Sequence, residues 1–154
     1  MTRASLARRR VGVLLHPTAL PGTPVCGGLG DAARAWIRAL ADNGIGLWQV
    51  LPLSPPDGTG SPYSSPSSFA INPWLLDARD LSDQGFLHPG DLESLPGAES
   101  AGSEVDFSLA SRRASVLAQR LSVYWDQQPH SRRAAFERWR RDQSSWLLDH
   151  AAFM

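Results

Sequence analysis

The sequence contains no lysine: all 15 of its basic side chains are arginine, and 15 acidic side chains bring the formal net charge to +0. The one-signed field that gathers nucleic acid or an anionic membrane is missing, so neither partner is expected. The arginine skew fits genomic base composition better than phosphate recognition. One cysteine, Cys26, excludes an internal disulfide framework and a cysteine-rich metal site, and agrees with a reducing compartment. An arginine cluster, Arg8 to Arg10, precedes an apolar run from Val11 to Leu15 and superficially looks like a secretory leader. His16-Pro17 ends that run, no small-residue cleavage site follows, and no other run approaches the roughly 18 apolar residues of a membrane span. The chain is expected to be soluble and cytoplasmic. Also missing are a G-x-S-x-G elbow and a P-loop, which leaves acyl transfer and nucleotide hydrolysis without an anchor. His16, His88, His130 and His150 lack the paired spacing of a zinc site, so no metal is expected.

What remains is the composition of a soluble globular domain, 154 residues with 42% hydrophobic content and 6 tryptophans. Residues 11–16 read as a buried strand of a parallel sheet. Ala32, Ala35, Trp36, Ala39 and Leu40 then recur at three- and four-residue spacing, predicting a helix over 32–43 with Asp31 as N-cap and Gly44 just past the end. Residues 46–53 are β-rich at the centre and closed by proline, a second strand with Trp48 in the core. Strand, helix and strand make a βαβ unit.

Residues 54–68 hold four prolines, two glycines and six serines, a composition that builds a shaped loop rather than a regular element. Residues 71–76 are a candidate short strand, 81–95 should break into turns, and 96–104 read as a flexible surface link. Beyond it, Ala110, Ala114, Leu117, Leu121, Tyr124 and Trp125 form a helical stripe that Pro129 stops. A second stripe through Phe136, Trp139, Trp146, Leu147 and Phe153 is expected to be interrupted near 142–145. The last helix runs to Ala151-Ala152-Phe153-Met154 without a cap or polar tail, as though cut.

Gly28-Leu29-Gly30-Asp31-Ala32-Ala33 matches G-x-G-x-x-A at a helix start, but eleven residues with three prolines separate His16 from Gly28, and the second strand ends in Leu51-Pro52-Leu53 without an acid. A dinucleotide site is therefore disfavoured. The loop after the second strand is where a parallel-sheet protein carries its site. There, Ser61-Pro62-Tyr63-Ser64-Ser65 can present an aromatic face beside small hydroxyls, the arrangement that binds a pyranose with little charge. Taken alone, Tyr63 reads either as a site residue or as a half-buried surface tyrosine.

His16-Pro17-Thr18-Ala19-Leu20-Pro21-Gly22, Gly28-Leu29-Gly30-Asp31, Trp48-Gln49-Val50-Leu51-Pro52-Leu53, Ser61-Pro62-Tyr63, Ser67-Ser68-Phe69-Ala70 and Asn72-Pro73 follow one another in an order and spacing that resemble 4-alpha-glucanotransferases, the amylomaltases or disproportionating enzymes. The resemblance continues through Val105-Asp106-Phe107 and the Trp146 to Met154 segment, so it covers nearly all of the chain from Val11. It implies an α/β fold, the N-terminal part of a (β/α)8 TIM barrel over residues 1–84 followed by a helical insertion over 85–154. It also implies a retaining enzyme that passes a piece of an α-1,4-glucan to the 4-hydroxyl of another glucan, with no cofactor.

A full barrel needs about 250 residues, and the family's Arg-Ile-Asp-His nucleophile string is absent, so no catalytic carboxylate is assigned and this is read as an N-terminal piece, inactive alone. Asp57 lies in the right loop without a paired acid. Residue by residue, Tyr63 matches the tyrosine that stacks under the sugar, Ser61 and Pro62 shape that turn, and Asn72-Pro73 match a position near the same pocket. Asn72 reads equally well as a side chain that hydrogen-bonds the loop backbone, and His16 carries the same ambiguity. Ile71 stands where the family often has glycine, and Cys26 reads as a buried inert thiol. The rival readings are another α-glucan-acting barrel glycosidase and a non-catalytic glucan-binding piece.

Overall fold

The apolar run after Arg10 and the β-rich segment before Pro52 pair as expected. In a computed structural model that describes residues 9–98 and 105–153, β1 (Gly12–Leu14) and β2 (Leu47–Gln49) lie parallel, with Gly12 opposite Leu47, Val13 opposite Trp48 and Leu14 opposite Gln49. Hydrogen bonds from Gly46 to Val11 (3.1 Å) and from Leu15 to Gln49 (3.1 Å) extend the ladder beyond the strand bounds. Between them runs α1 (Asp31–Asp42). It ends as the glycine predicted: Gly44 takes φ +71°, its N–H reaches the Ala41 carbonyl at 3.0 Å, and the Ile45 N–H reaches Leu40 at 2.9 Å. That 6→1 and 5→2 pair closes the helix by satisfying carbonyls that have no partner inside it. The helix starts one residue earlier than expected. Gly30 is the N-cap and Asp31 is the first helical residue, its carboxylate pairing with Arg34 at 2.8 Å rather than capping the backbone.

The strands are not buried as a parallel-sheet strand should be. Val11, Leu14 and Leu47 are 66%, 54% and 50% exposed, because among the described residues the sheet has only these two strands. Trp48 is half-buried, and its indole N–H donates to the Leu15 carbonyl at 2.8 Å.

The main apolar cluster lies elsewhere, where Ala78, Leu87, Leu95 and Leu117 meet with Leu81, Leu92, Val116, Leu121 and Tyr124 around them. These residues come from α2 (Ala78–Asp83), the short α3 (Asp91–Ser94), their flanking turns, and α4 (Phe107–Trp125). The stretch expected to be only turns thus contains two short helices. Asp77 caps α2, accepting from Arg79 and Asp80 N–H groups at 2.9 and 3.1 Å, and Gly85 at φ +74° ends it. The expected strand at 71–76 is instead a 3-10 turn, Pro73–Leu75, because Pro73 presets the first position and the Asn72 side chain caps it. Of the expected link at 96–104, residues 99–104 lie outside the described residues. Pro96 and Gly97 are held to the body, the Pro96 carbonyl by Arg113 at 2.9 Å and Gly97 against Val25 and Leu109.

α4 buries Ala110 and Leu117 on the predicted stripe and is capped by Asp106, whose carboxylate accepts from the Leu109 N–H at 2.8 Å. α5 (His130–Asp142) follows Pro129, and α6 (Ser144–Phe153) follows a break at Gln143, inside the interval where the stripe was expected to fail. Two polar ties brace the assembly. Arg34 on α1 grips Asp80 on α2 with two hydrogen bonds, 2.8 and 2.6 Å, and holds that carboxyl below its ordinary range. Arg132 on α5 reaches the Gln84 carbonyl at 2.8 Å, next to the buried Gln128, whose amide donates to Gly85 at 3.0 Å. No helix among the described residues is long and apolar enough to cross a membrane.

Candidate functional site

The site is built at the C-terminal ends of β1 and β2. After β1 the chain enters a 3-10 turn, Pro17–Ala19, and after β2 it enters the loop predicted from its proline and serine content. His16 links the two exits. Its Nε2 lies 3.4 Å from the Pro52 carbonyl, which can only accept, so the contact assigns the proton to Nε2. Its Nδ1 is then free to accept from the Thr18 hydroxyl at 2.8 Å and from the Thr18 N–H at 3.4 Å. His16 thus braces the two strand ends against each other.

The loop is ordered by its own short side chains. Asp57 accepts from both the N–H and the hydroxyl of Thr59, which holds its carboxyl below the ordinary range, and the Asp57 N–H donates to the Ser64 carbonyl at 2.8 Å. The Ser61 hydroxyl oxygen accepts from the Tyr63 N–H at 3.3 Å, and the Ser64 N–H returns to the Ser61 carbonyl at 3.2 Å. The turn Ser61-Pro62-Tyr63 is thereby closed on itself, and the Tyr63 ring is left 74% exposed. At the neck of the loop the Asn72 N–H meets the Leu53 carbonyl at 2.7 Å. Asn72 is 3% exposed, and its side-chain oxygen accepts from the Trp74 N–H at 3.0 Å. It does what the second of its two sequence readings said, hydrogen-bonding local backbone.

A cavity of about 170 Å³ opens between these pieces, lined among others by His16, Thr18, Pro62, Asn72, Trp74 and Phe107. The structure therefore brings Pro62 and Asn72 to one cavity together with His16, while Ser61 and Tyr63 stand on the adjoining turn outside it. Thr18, Trp74 and Phe107 were missed as lining residues. Trp74 directly follows the Asn72-Pro73 pair, but its position depends on stacking with Phe107, centroids 5.3 Å apart, from a helix 33 residues later in the chain. Among the described residues no acidic or arginine side chain lines this cavity, so those that do can bind and orient a neutral, hydroxyl-bearing ligand but supply no carboxylate to attack an anomeric carbon or protonate a leaving group.

The glycines of the dinucleotide-like string are used differently. The Leu29 N–H donates to the Leu75 carbonyl at 2.9 Å, and a Cβ on Gly30 would overlap the Asp77 carboxylate. Carboxylate thus stands at the start of α1, where a phosphate would have to sit, and repels one.

Comparison with known proteins bears on this arrangement. The sequence profile of the 4-alpha-glucanotransferase family matches residues 15–154. The chain belongs to this family. Among curated 4-alpha-glucanotransferases, it is 38% identical to that of Synechocystis over 149 residues, 97% of this chain and 29% of the relative. The Thermus thermophilus 4-alpha-glucanotransferase is likewise 38% identical over 147 residues, 95% of this chain and 28% of the relative. Among solved structures, amylomaltase from Streptococcus agalactiae in complex with acarbose superposes with a TM-score of 0.81 at 30% identity, covering 96% of this chain and 29% of that one. The chain thus spans less than a third of the length of the 4-alpha-glucanotransferases it matches.

Proposed function

We propose that this chain forms the opening part of a longer 4-alpha-glucanotransferase, cytoplasmic and working on α-1,4-glucans without a cofactor. In this reading residues 1–84 are the first βα units of a TIM barrel, whose further strands cover the exposed apolar faces of β1 and β2, and residues 85–154 are a helical insertion. The reaction is a retaining double displacement. A carboxylate beyond this chain forms a glycosyl-enzyme, a carboxylic acid protonates the departing oxygen, and the 4-hydroxyl of a second glucan, or of glucose, takes the segment.

This chain's contribution is binding. Tyr63 stacks under the sugar beside the scissile bond and supports its flattening ring better in the transition state than in the ground state, Ser61 and Pro62 hold the turn, and Asn72 keeps the neck of the loop closed while facing the cavity. The observation that carries the reading is the Tyr63 ring, exposed on a self-bonded turn beside an uncharged cavity at the strand ends, within a chain that matches the family from residue 15 onward.

The test is disproportionation of maltotriose by the full-length protein, with the 154-residue chain alone as a control that should leave maltotriose unchanged. Tyr63→Ala should lower kcat/KM by one to two orders of magnitude, given stacking worth about 1–3 kcal/mol. Tyr63→Phe, which keeps the ring, should be milder. Wild-type kinetics for Tyr63→Ala would refute the assignment.

A further inference from the structure

The substrate loop has two arms that are held in different ways. The arm containing Tyr63 is closed by backbone bonds, Asp57 N–H to the Ser64 carbonyl and Ser64 N–H to the Ser61 carbonyl, both within the loop. The outer arm, residues 65–70, bonds only to itself: the Ser65 hydroxyl donates to the Ser67 carbonyl at 2.7 Å, and the Ser67 hydroxyl oxygen accepts from the Phe69 and Ala70 N–H groups at 3.2 and 3.1 Å. Among the described residues no hydrogen bond ties 65–70 to anything outside the loop. Its long-range attachment is a stack: the Phe69 ring lies on Trp146 of α6, centroids 5.7 Å apart and planes 21° from parallel.

Trp146 is itself set in place. Its indole N–H donates to the Gln143 side chain at 2.9 Å, at the α5–α6 break, and the His150 ring, one helical turn on, lies 6.0 Å away. Phe69 has no comparable support, being 69% exposed. A phenylalanine that exposed gains little from burial, so the stack decides where it sits. We propose that Trp146 is a positioning residue for the substrate loop: by holding Phe69 it fixes the outer arm, and through the Ser64-Ser65 junction it fixes the orientation in which the self-closed Ser61-Pro62-Tyr63 turn meets the glucan. The inference rests on the reading of Tyr63 as a substrate contact.

A loop that is ordered before the glucan arrives does not have to be ordered by it. Releasing the clamp therefore weakens ground-state and transition-state binding alike, which raises KM and spares kcat. In the full-length protein, Trp146→Ala should raise KM for maltotriose about two- to tenfold with kcat within about twofold of wild type, the range an aromatic pair spans. Trp146→Phe, which keeps a ring, should restore most of the loss. Phe69→Ala should match Trp146→Ala, and the double variant should be no worse than either single change.

Because Trp146 also packs α6, Phe69→Ala is the decisive variant should Trp146→Ala not fold. A second readout does not need activity: the amides of positions 69 and 70 should exchange hydrogen several-fold faster in Phe69→Ala than in wild type. An unchanged KM in Phe69→Ala, or equal impairment by Trp146→Phe and Trp146→Ala, overturns the proposal. If wild-type protein does not disproportionate maltotriose, the functional reading fails instead, and the exchange rates alone then decide whether the clamp exists.

Discussion

Replacing Gly27 with alanine tests the geometry that joins the end of β1 to the start of α1. Gly27 is buried, its N–H donates to the Thr18 carbonyl at 2.8 Å, and a Cβ there would sit 2.0 Å from the Pro17 carbonyl oxygen, 2.7 Å from the Leu20 nitrogen and 2.9 Å from the Leu20 Cβ. A carbon and a carbonyl oxygen approach comfortably only to about 3.3 Å, so something must move by more than an ångström. The atoms in the way are backbone, and Pro17 is among the largest fully buried side chains, so it cannot swing aside. Relief requires opening the turn, which breaks Leu20–Pro17 (3.1 Å) and Gly27–Thr18 (2.8 Å). Each broken bond that leaves a buried group unpaired costs about 1–3 kcal/mol, so two should cost about 2–6 kcal/mol against a typical total of about 5–15 kcal/mol.

Two other glycines calibrate the number. Gly22 has φ +78° and open space around it, so alanine there costs only backbone strain, about 1–2 kcal/mol. Gly58 also faces open space and has no such φ, and alanine there should be neutral or stabilising by less than about 1 kcal/mol. Urea unfolding midpoints should therefore rank Gly58→Ala at or above wild type, then Gly22→Ala, then Gly27→Ala. A Gly27→Ala midpoint equal to that of Gly58→Ala would refute the close approach.

Two further outcomes follow from charge and burial. Asp80, held down by the Arg34 guanidinium, and Asp106, held down by the Leu109 N–H and the Ser108 hydroxyl, both have folded-state pKa values below the ordinary one. Such a group adds stability above the unfolded value, near 4, and loses it as pH falls through the folded value, so the urea midpoint should drop below about pH 4. Asp80→Asn and Asp106→Asn should each flatten that drop; a wild-type slope in both would count against the pairings. Burial pushes the Cys26 thiol up, only partly opposed by the positive charge of Arg113. Iodoacetamide at pH 8 should label the native chain several-fold more slowly than the urea-unfolded chain, and equal rates would contradict the burial.

Residues whose conformation depends on near neighbours were legible from the sequence. The βαβ unit, the Gly44 stop, the α4 stripe, the break before α6 and the loop after β2 all rest on periodicity of three to four residues, on turn chemistry, or on proline, and these act within a few positions of the chain. The closed turn at Ser61-Pro62-Tyr63 was legible in the same way, from its proline and serines. What the sequence could not disclose was decided by contacts between distant segments. Gly30, the cap of α1, sits where a Cβ would overlap the Asp77 carboxylate, and the Trp74 ring of the 3-10 turn is set by its stack on Phe107 of α4. The core gathers on α2, α3 and α4 instead of on the strands, because two strands offer too little surface to enclose one while Leu117 finds Ala78, Leu87 and Leu95. His16 braces Pro52 from 36 positions away and Trp146 meets Phe69 across 77. Pairings of that span carry no local pattern, since either partner would look the same in the sequence if the other were elsewhere; only the folded chain makes them neighbours.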